Sequence, residues 1–260
     1  MFSYSYRRAD CFPNRRGLGA APPVTNGLLN NLKAYWSFNL GGANSGIPEF
    51  GPVSLSATAP ATSTGLGKIS NAIICSVWGD SVGGYFPIGD LTPFVFSQNV
   101  SISVWLAPNT NSGSNNYGTA YRVSNLDSEC LCLAFENNVI RYGGFANFGN
   151  NTVSYSPPSG WTANTWIHIV QTLNASTGII KLYVNGSFVA DNTSSPSPAY
   201  STADGYEVYA LSDFTSSPLS WGSFGGKMDE FGIWQKLLTA TDVSNLYNSG
   251  AGLDSTAFQT

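Results

Sequence analysis

Val100–Pro108 reads VSISVWLAP. Val100, Ile102, Val104 and Leu106 fall on one side of an extended chain, Ser101, Ser103 and Trp105 on the other. A period of two is that of a β-strand with one face in a core. The same reading predicts strands at Lys33–Asn39, Ala72–Trp78, Gly84–Gly89, Thr119–Ser124, Cys130–Glu136, Val139–Phe145, Thr152–Ser156, Thr165–Asn174, Ile179–Asp191, Tyr206–Ser212 and Lys227–Gln235. Inside Ile179–Asp191, Asn185-Gly186 between two alternating stretches predicts a hairpin turn. The period changes once, over Thr239–Ser249. There Val243 and Leu246-Tyr247 form one apolar side, Thr239 and Asp242 make a box-like helix start, and Gly250 suits the position just past the end. Ala61–Gly65 and Asn109–Asn116 read as polar loops. About a dozen strands and one short C-terminal helix predict an all-β, two-sheet antiparallel sandwich.

Composition agrees with many short strands. Only 10% of the 260 residues are charged, against about 25% in ordinary soluble domains. Gly, Ser, Thr, Asn and aromatics fill the difference, and 42% apolar residues are enough for a core. Charge is divided unevenly. Residues 1–33 hold Arg7, Arg8, Arg15, Arg16 and Lys33 against Asp10, a balance of +4, while the remainder has six basic and fourteen acidic residues, −8. Residues 1–31 lack periodicity and are broken by Pro and Gly, so they read as an extended N-terminal arm, with the sandwich at 32–252 and a tail at 253–260. The arm's four arginines are candidates for docking on an acidic neighbour, another copy of the chain included. The acidic body argues against nucleic acid. No run approaches a membrane span, and the first residues lack the apolar stretch of a signal peptide. Cys11, Cys75, Cys130 and Cys132 have no metal-ligand spacing; Cys130 and Cys132, two apart on one strand, share a face and are not placed to bond each other.

Five segments in order carry a resemblance: AYWSFN; GKISNAIICSVWGDSVGGYFPIG; FSQNVSISVWLAPN; WIHIVQTLNASTGIIKLYVNGSFV; and GGKMDEFGIWQKLLTATDVSNLYNSG. Together, from about Leu32 to Gly252, they resemble a laminin-G-like, concanavalin-A-like jelly roll. The entry and exit segments look like single-domain members of phage and environmental bacterial type. The resemblance implies a jelly roll serving as a binding or structural module, for glycans or for attachment on a virion. It also implies that the aspartate at 229 holds the loop after the first strand, by hydrogen bonds or through calcium with Asn39. That loop has Asn39 and Asn44 where acids are common in the family, with Glu49 further along.

The candidate chemistry is sparse. Asp229 and Glu230 are neighbours on a strand and are expected on opposite faces, which excludes a glycosidase pair across one sugar. His168, the sole histidine, lies mid-strand with no nucleophile signature near it in sequence, and is expected to be packed. Aromatics are more telling. Tyr117, Tyr142, Phe145, Phe148, Trp161 and Trp221 stand in Gly- and Asn-rich surroundings. A ring for the sugar face plus amides for its hydroxyls is glycan-binding chemistry. Tyr142, Phe145, Asn147, Trp161 and Trp221 are therefore the expected ligand residues; tucking under the sandwich edge or into a subunit interface is the rival use.

These readings set two expectations. One is a non-enzymatic virion structural or attachment protein, a phage capsid decoration or tail-fibre module. It would be made in the host cytoplasm without a signal peptide, carried on the virion surface, and anchored by its arm to other virion proteins or to copies of itself as a homo-oligomer or larger assembly. The other is a stand-alone carbohydrate-binding lectin module of a bacterial surface or secreted protein. Neither requires a cofactor; calcium stays open. A hydrolase would need three carboxylates converging in a cleft.

Overall fold

The computed structural model describes residues 26–39, 50, 62–76, 78, 86–91, 93–114, 117–125, 129–146, 152–192, 206–211 and 222–259. Its strands are β1 (Leu32–Trp36), β2 (Thr62–Leu66), β3 (Asn71–Cys75), β4 (Phe86–Asp90), β5 (Val100–Pro108), β6 (Tyr117–Asn125), β7 (Glu129–Glu136), β8 (Val139–Ala146), β9 (Thr152–Tyr155), β10 (Ile167–Leu173), β11 (Ile180–Val184), β12 (Ser187–Asp191), β13 (Glu207–Ala210) and β14 (Gly226–Trp234). One α-helix, α1 (Ala240–Tyr247), follows β14, and 3-10 turns cover Asn26–Leu28, Asn248–Gly250 and Ser255–Gln259.

The strands form two sheets. An eight-stranded sheet runs β12-β11-β10-β5-β14-β3-β2, with β1 also paired to β14; a six-stranded sheet runs β4-β13-β6-β7-β8-β9. All pairings between these strands are antiparallel. This is the expected all-β jelly-roll sandwich. Its main core lies between the sheets. Ile102, Val104, Leu106 and Ile169 from one sheet meet Leu131, Leu133, Phe135 and Tyr142 from the other. Trp36 stacks on Phe231 with centroids 5.6 Å apart, and Tyr121 crosses to donate a hydrogen bond to Gln171 Oε1.

The alternation in β5 is present, yet all nine of its residues are buried. The outer face of the eight-stranded sheet is covered as well. Leu28, Tyr35, Val170, Trp234, Val243, Leu246 and Phe258 make a second cluster there. Trp234 Nε1 donates to the Leu28 carbonyl at 2.6 Å, tying the start of the described chain to β14. α1 is laid on this face by its sequence. Thr239 accepts from the Asp242 amide and Asp242 accepts from the Thr239 amide, the expected capping box. Val243 and Leu246 face inward.

Two local expectations change. Ala61–Gly65, read as loop, is largely β2, an edge strand paired with β3. Backbone pairing alone makes a strand there, and Leu66 is 80% exposed, so no apolar period marks it. The helix ends before Gly250: Asn248 adopts the left-handed cap, φ 47°, a conformation asparagine tolerates. The Asn185-Gly186 hairpin is as expected, with φ of 48° and 79°. Gly186 is required twice over, because a Cβ there would stand 2.8 Å from the Tyr247 ring.

Candidate ligand-binding face

The expected ligand residues do not form one surface. Tyr142 on β8 is buried at 1% and belongs to the core between the sheets. Trp161 is also core, 7% exposed and edge-on to Phe135 at 5.2 Å. Their polar sequence context misled: both rings turn inward and bury large apolar area. The Phe145 side chain and residues Asn147 and Trp221 lie outside the described residues, as do Arg7, Arg8, Arg15 and Arg16.

A different group gathers on the outer face of the six-stranded sheet. Leu131, Leu133 and Phe135 of β7 point into the core, so Ala134 and Glu136 point out. Tyr117 is directly opposite Glu136 in register, and Arg141 opposite Ala134 and Ser154. Directly paired residues share a face. Tyr117 is 42% exposed. Arg141 Nε is 2.7 Å from Glu136 Oε2, with side chains 41% and 35% exposed. Thr152 and Ser154 continue the exposed strip on β9. The β7–β8 turn that brings Glu136 to Arg141 depends on Asn137 at φ 52°, and its carbonyl accepts from the Gly113 amide at 3.0 Å. An exposed ring, a carboxylate, a guanidinium and two hydroxyls thus line one surface. An ion pair this exposed contributes at most about 1 kcal/mol, so its partners can exchange onto a ligand's hydroxyls at little cost. Tyr117 was visible in the sequence as an aromatic in a polar stretch; Glu136 and Arg141 flank the Asn137-Asn138 turn, which was the available signal for them.

Asp229 and Glu230 depart from the expected geometry. A bulge between Asp229 and Gly232 inserts an extra residue opposite β5, and Glu230 takes φ 49°. Both carboxylates consequently serve the same outer side, not opposite faces. Asp229 Oδ2 accepts the Lys68 and Ile69 amides at 2.7 and 2.9 Å, and Oδ1 accepts the Glu230 amide at 2.9 Å. Glu230 Oε2 accepts the Tyr35 hydroxyl. Asp229 therefore holds the turn after β2; residues 40–49 of the loop after β1 lie outside the described residues. Asn39 bonds Asn71 instead, through Oδ1 to its amide (3.3 Å) and through its carbonyl to Nδ2 (2.9 Å). Three N–H donors aimed at Asp229 do not fit a calcium seat, which needs several converging oxygens. Among the described residues no three His, Cys, Asp or Glu side chains cluster. Glu49 and Asn44 lie outside them.

His168 is packed as expected. It is 1% exposed, and its ring packs against both Trp105 (5.0 Å) and Tyr247 (6.0 Å), which also contact each other (5.8 Å). Burial drives its pKa down to about 3, so the ring is neutral. Cys75 and Cys132 are buried and not disulfide-bonded. No described helix is long and apolar enough to cross a membrane.

The comparisons bear on this geometry. The sequence profile of the concanavalin A-like lectin/glucanases superfamily, laminin-G type, matches residues 80–244. No curated protein matches the chain. Among solved structures, one similar to it is domain 4 of AbnA, a GH43 extracellular arabinanase from Geobacillus stearothermophilus, in complex with arabinotriose. That likeness has a TM-score of 0.58 at 17% identity, over 82% of this chain and 97% of that one. Another is the binding domain of botulinum neurotoxin DC in complex with SialylT, TM-score 0.64 at 13% identity, over 84% and 51%. A third is the binding domain of Paraclostridial Mosquitocidal Protein 1, TM-score 0.59 at 16% identity, over 85% and 52%. The chain spans nearly all of the arabinanase domain and about half the length of the toxin binding domains. At these identities the likeness is one of fold.

Proposed function

Because this chain belongs to the concanavalin A-like lectin/glucanases superfamily, we propose that it is a non-enzymatic carbohydrate-binding module whose ligand lies across Tyr117, Glu136 and Arg141. The observation that carries this reading is an exposed ring beside an exposed ion pair on one sheet face. The ring takes the apolar face of a sugar, and the charged pair takes its hydroxyls bidentately. The fold neighbours support the reading by their own complexes, one with arabinotriose and one with SialylT. A glycan array followed by titration tests it. Expected is micromolar to millimolar affinity, weakened about tenfold by Tyr117→Ala, a loss of about 1.4 kcal/mol, with the thermal midpoint unchanged. A negative array, or equal binding by the variant, overturns it.

The module is carried, on this reading, at a virion surface and anchored by its N-terminal arm, the stand-alone lectin of a bacterial surface or secreted protein being the alternative. What favours the first is a basic N-terminal stretch, +4 over residues 1–33, on an acidic remainder, −8. Deleting residues 1–25 keeps Leu28 and its contacts with β14, so a folded, soluble sandwich is expected that no longer incorporates into particles. Retained incorporation removes the arm from the account.

A further inference from the structure

The outer face of the eight-stranded sheet carries a pocket of its own. Thr172 of β10 and Lys181 of β11 are paired directly in register. The chain leaving β14 crosses beside them. Ser101 Oγ donates to the Lys236 carbonyl at 2.7 Å and accepts the Leu238 amide at 2.9 Å, which fixes Leu237 and Leu238 against the sheet. Next to this crossing lies a cavity of about 190 Å³. Ile179, Tyr183, Leu237 and Leu238 supply its apolar lining; Thr172, Asn174, Thr177 and Lys181 supply the polar part.

The polar groups left to a ligand can all donate. The Asn174 carboxamide oxygen already accepts from Ser176 and Thr177, leaving its NH2. Thr177 Oγ1 accepts the Ile179 amide at 3.3 Å, which leaves its hydroxyl proton. Lys181 is exposed and makes no ion pair among the described residues, although Asp191 stands opposite it in register. Burial raises the Tyr183 pKa, so that phenol also keeps its proton. No carboxylate lines the cavity. Beside it, Phe188 is 53% exposed and edge-on to Tyr183 at 5.7 Å, extending the apolar wall to the rim.

We propose that this pocket is a second ligand site, for a single carboxylate-bearing sugar ring. Lys181 meets the carboxylate, the neutral donors meet ring oxygens, and the apolar lining meets the C–H face. The volume is below the roughly 300 Å³ at which sites for larger ligands begin, which limits the occupant to one ring. The site is on the sheet opposite Tyr117, so the two readings fail independently.

Amide chemical-shift titration of the full chain tests it with three probes: glucuronate, glucose for the ring without charge, and acetate for the charge without the ring. Expected are shifts at the Thr172, Lys181 and Leu238 amides with glucuronate, and affinities about tenfold weaker for the other two. Lys181→Gln, at an exposed position, weakens glucuronate about tenfold at these amides with its thermal midpoint kept. Glucose or acetate binding as well as glucuronate, no effect of Lys181→Gln, or no shifts at these amides overturns the proposal.

Discussion

Ser103 Oγ lies 3.0 Å from Nε2 of His168, and neither side chain is more than 2% exposed. The distance is that of a nucleophile and its base, but the surroundings are those of a core. Nδ1 of His168 has no partner among the described residues. The carboxylate in the same cross-strand row, Asp229, is separated from it by Trp105. Among the described residues no group orients the imidazole through Nδ1, both side chains are closed off from solvent, and the pair acts as packing.

That pair predicts a specific acid sensitivity. The unfolded chain protonates its histidine at about 6.5, while the fold resists doing so until about 3. A group with a depressed basic pKa contributes nothing to pH dependence above 6.5. Stability then falls as pH drops from 6.5 toward 3, because the unfolded state binds the proton first. The limiting slope is about 1.4 kcal/mol per pH unit. Denaturant titrations between pH 7 and 5 should show this loss, before most carboxylates titrate. Since His168 is the sole histidine, His168→Gln should flatten the profile; an unchanged profile would show that the group is not buried neutral.

Trp161→Ala should act on stability. Its ring packs against Phe135 in the main core, and removing a buried tryptophan costs about 3 to 5 kcal/mol. Chemical denaturation reads this directly. A variant with native stability would place the ring outside the core and restore it as a ligand platform.

Asp229 should matter for folding without calcium. Asp229→Ala strands the Lys68, Ile69 and Glu230 amides and should cost about 1 to 3 kcal/mol. Melting of the parent chain is expected to be the same with calcium and with a chelator. A calcium-dependent midpoint lost in Asp229→Ala would instead make the aspartate a ligand.

Thr239→Ala removes one half of the capping box. The expected loss is about 1 kcal/mol, and Thr239→Ser should recover most of it. Equal losses in both variants would mean that the hydroxyl bond does not hold α1 on the sheet.

The strand sequence apart from β2, the hairpin at Asn185-Gly186, the capping box and the five ordered segments of the laminin-G-like pattern were legible in the chain itself. Each is local: a period of two needs only alternating residues, a left-handed turn only Asn-Gly, a cap only a hydroxyl three residues before a carboxylate. Tertiary structure decided what local pattern could not. It covered the outer face of the eight-stranded sheet, so that Ser103, Trp105 and His168 are buried where alternation alone leaves them facing out. It placed a bulge at Asp229–Gly232 that turned two carboxylates to one side. It drew Tyr142 and Trp161 inward from polar stretches, and joined Tyr117 to Glu136 and Arg141 across two strand pairings. Such placements depend on which strands become neighbours and in what register, and that is set by the packing of the whole sandwich.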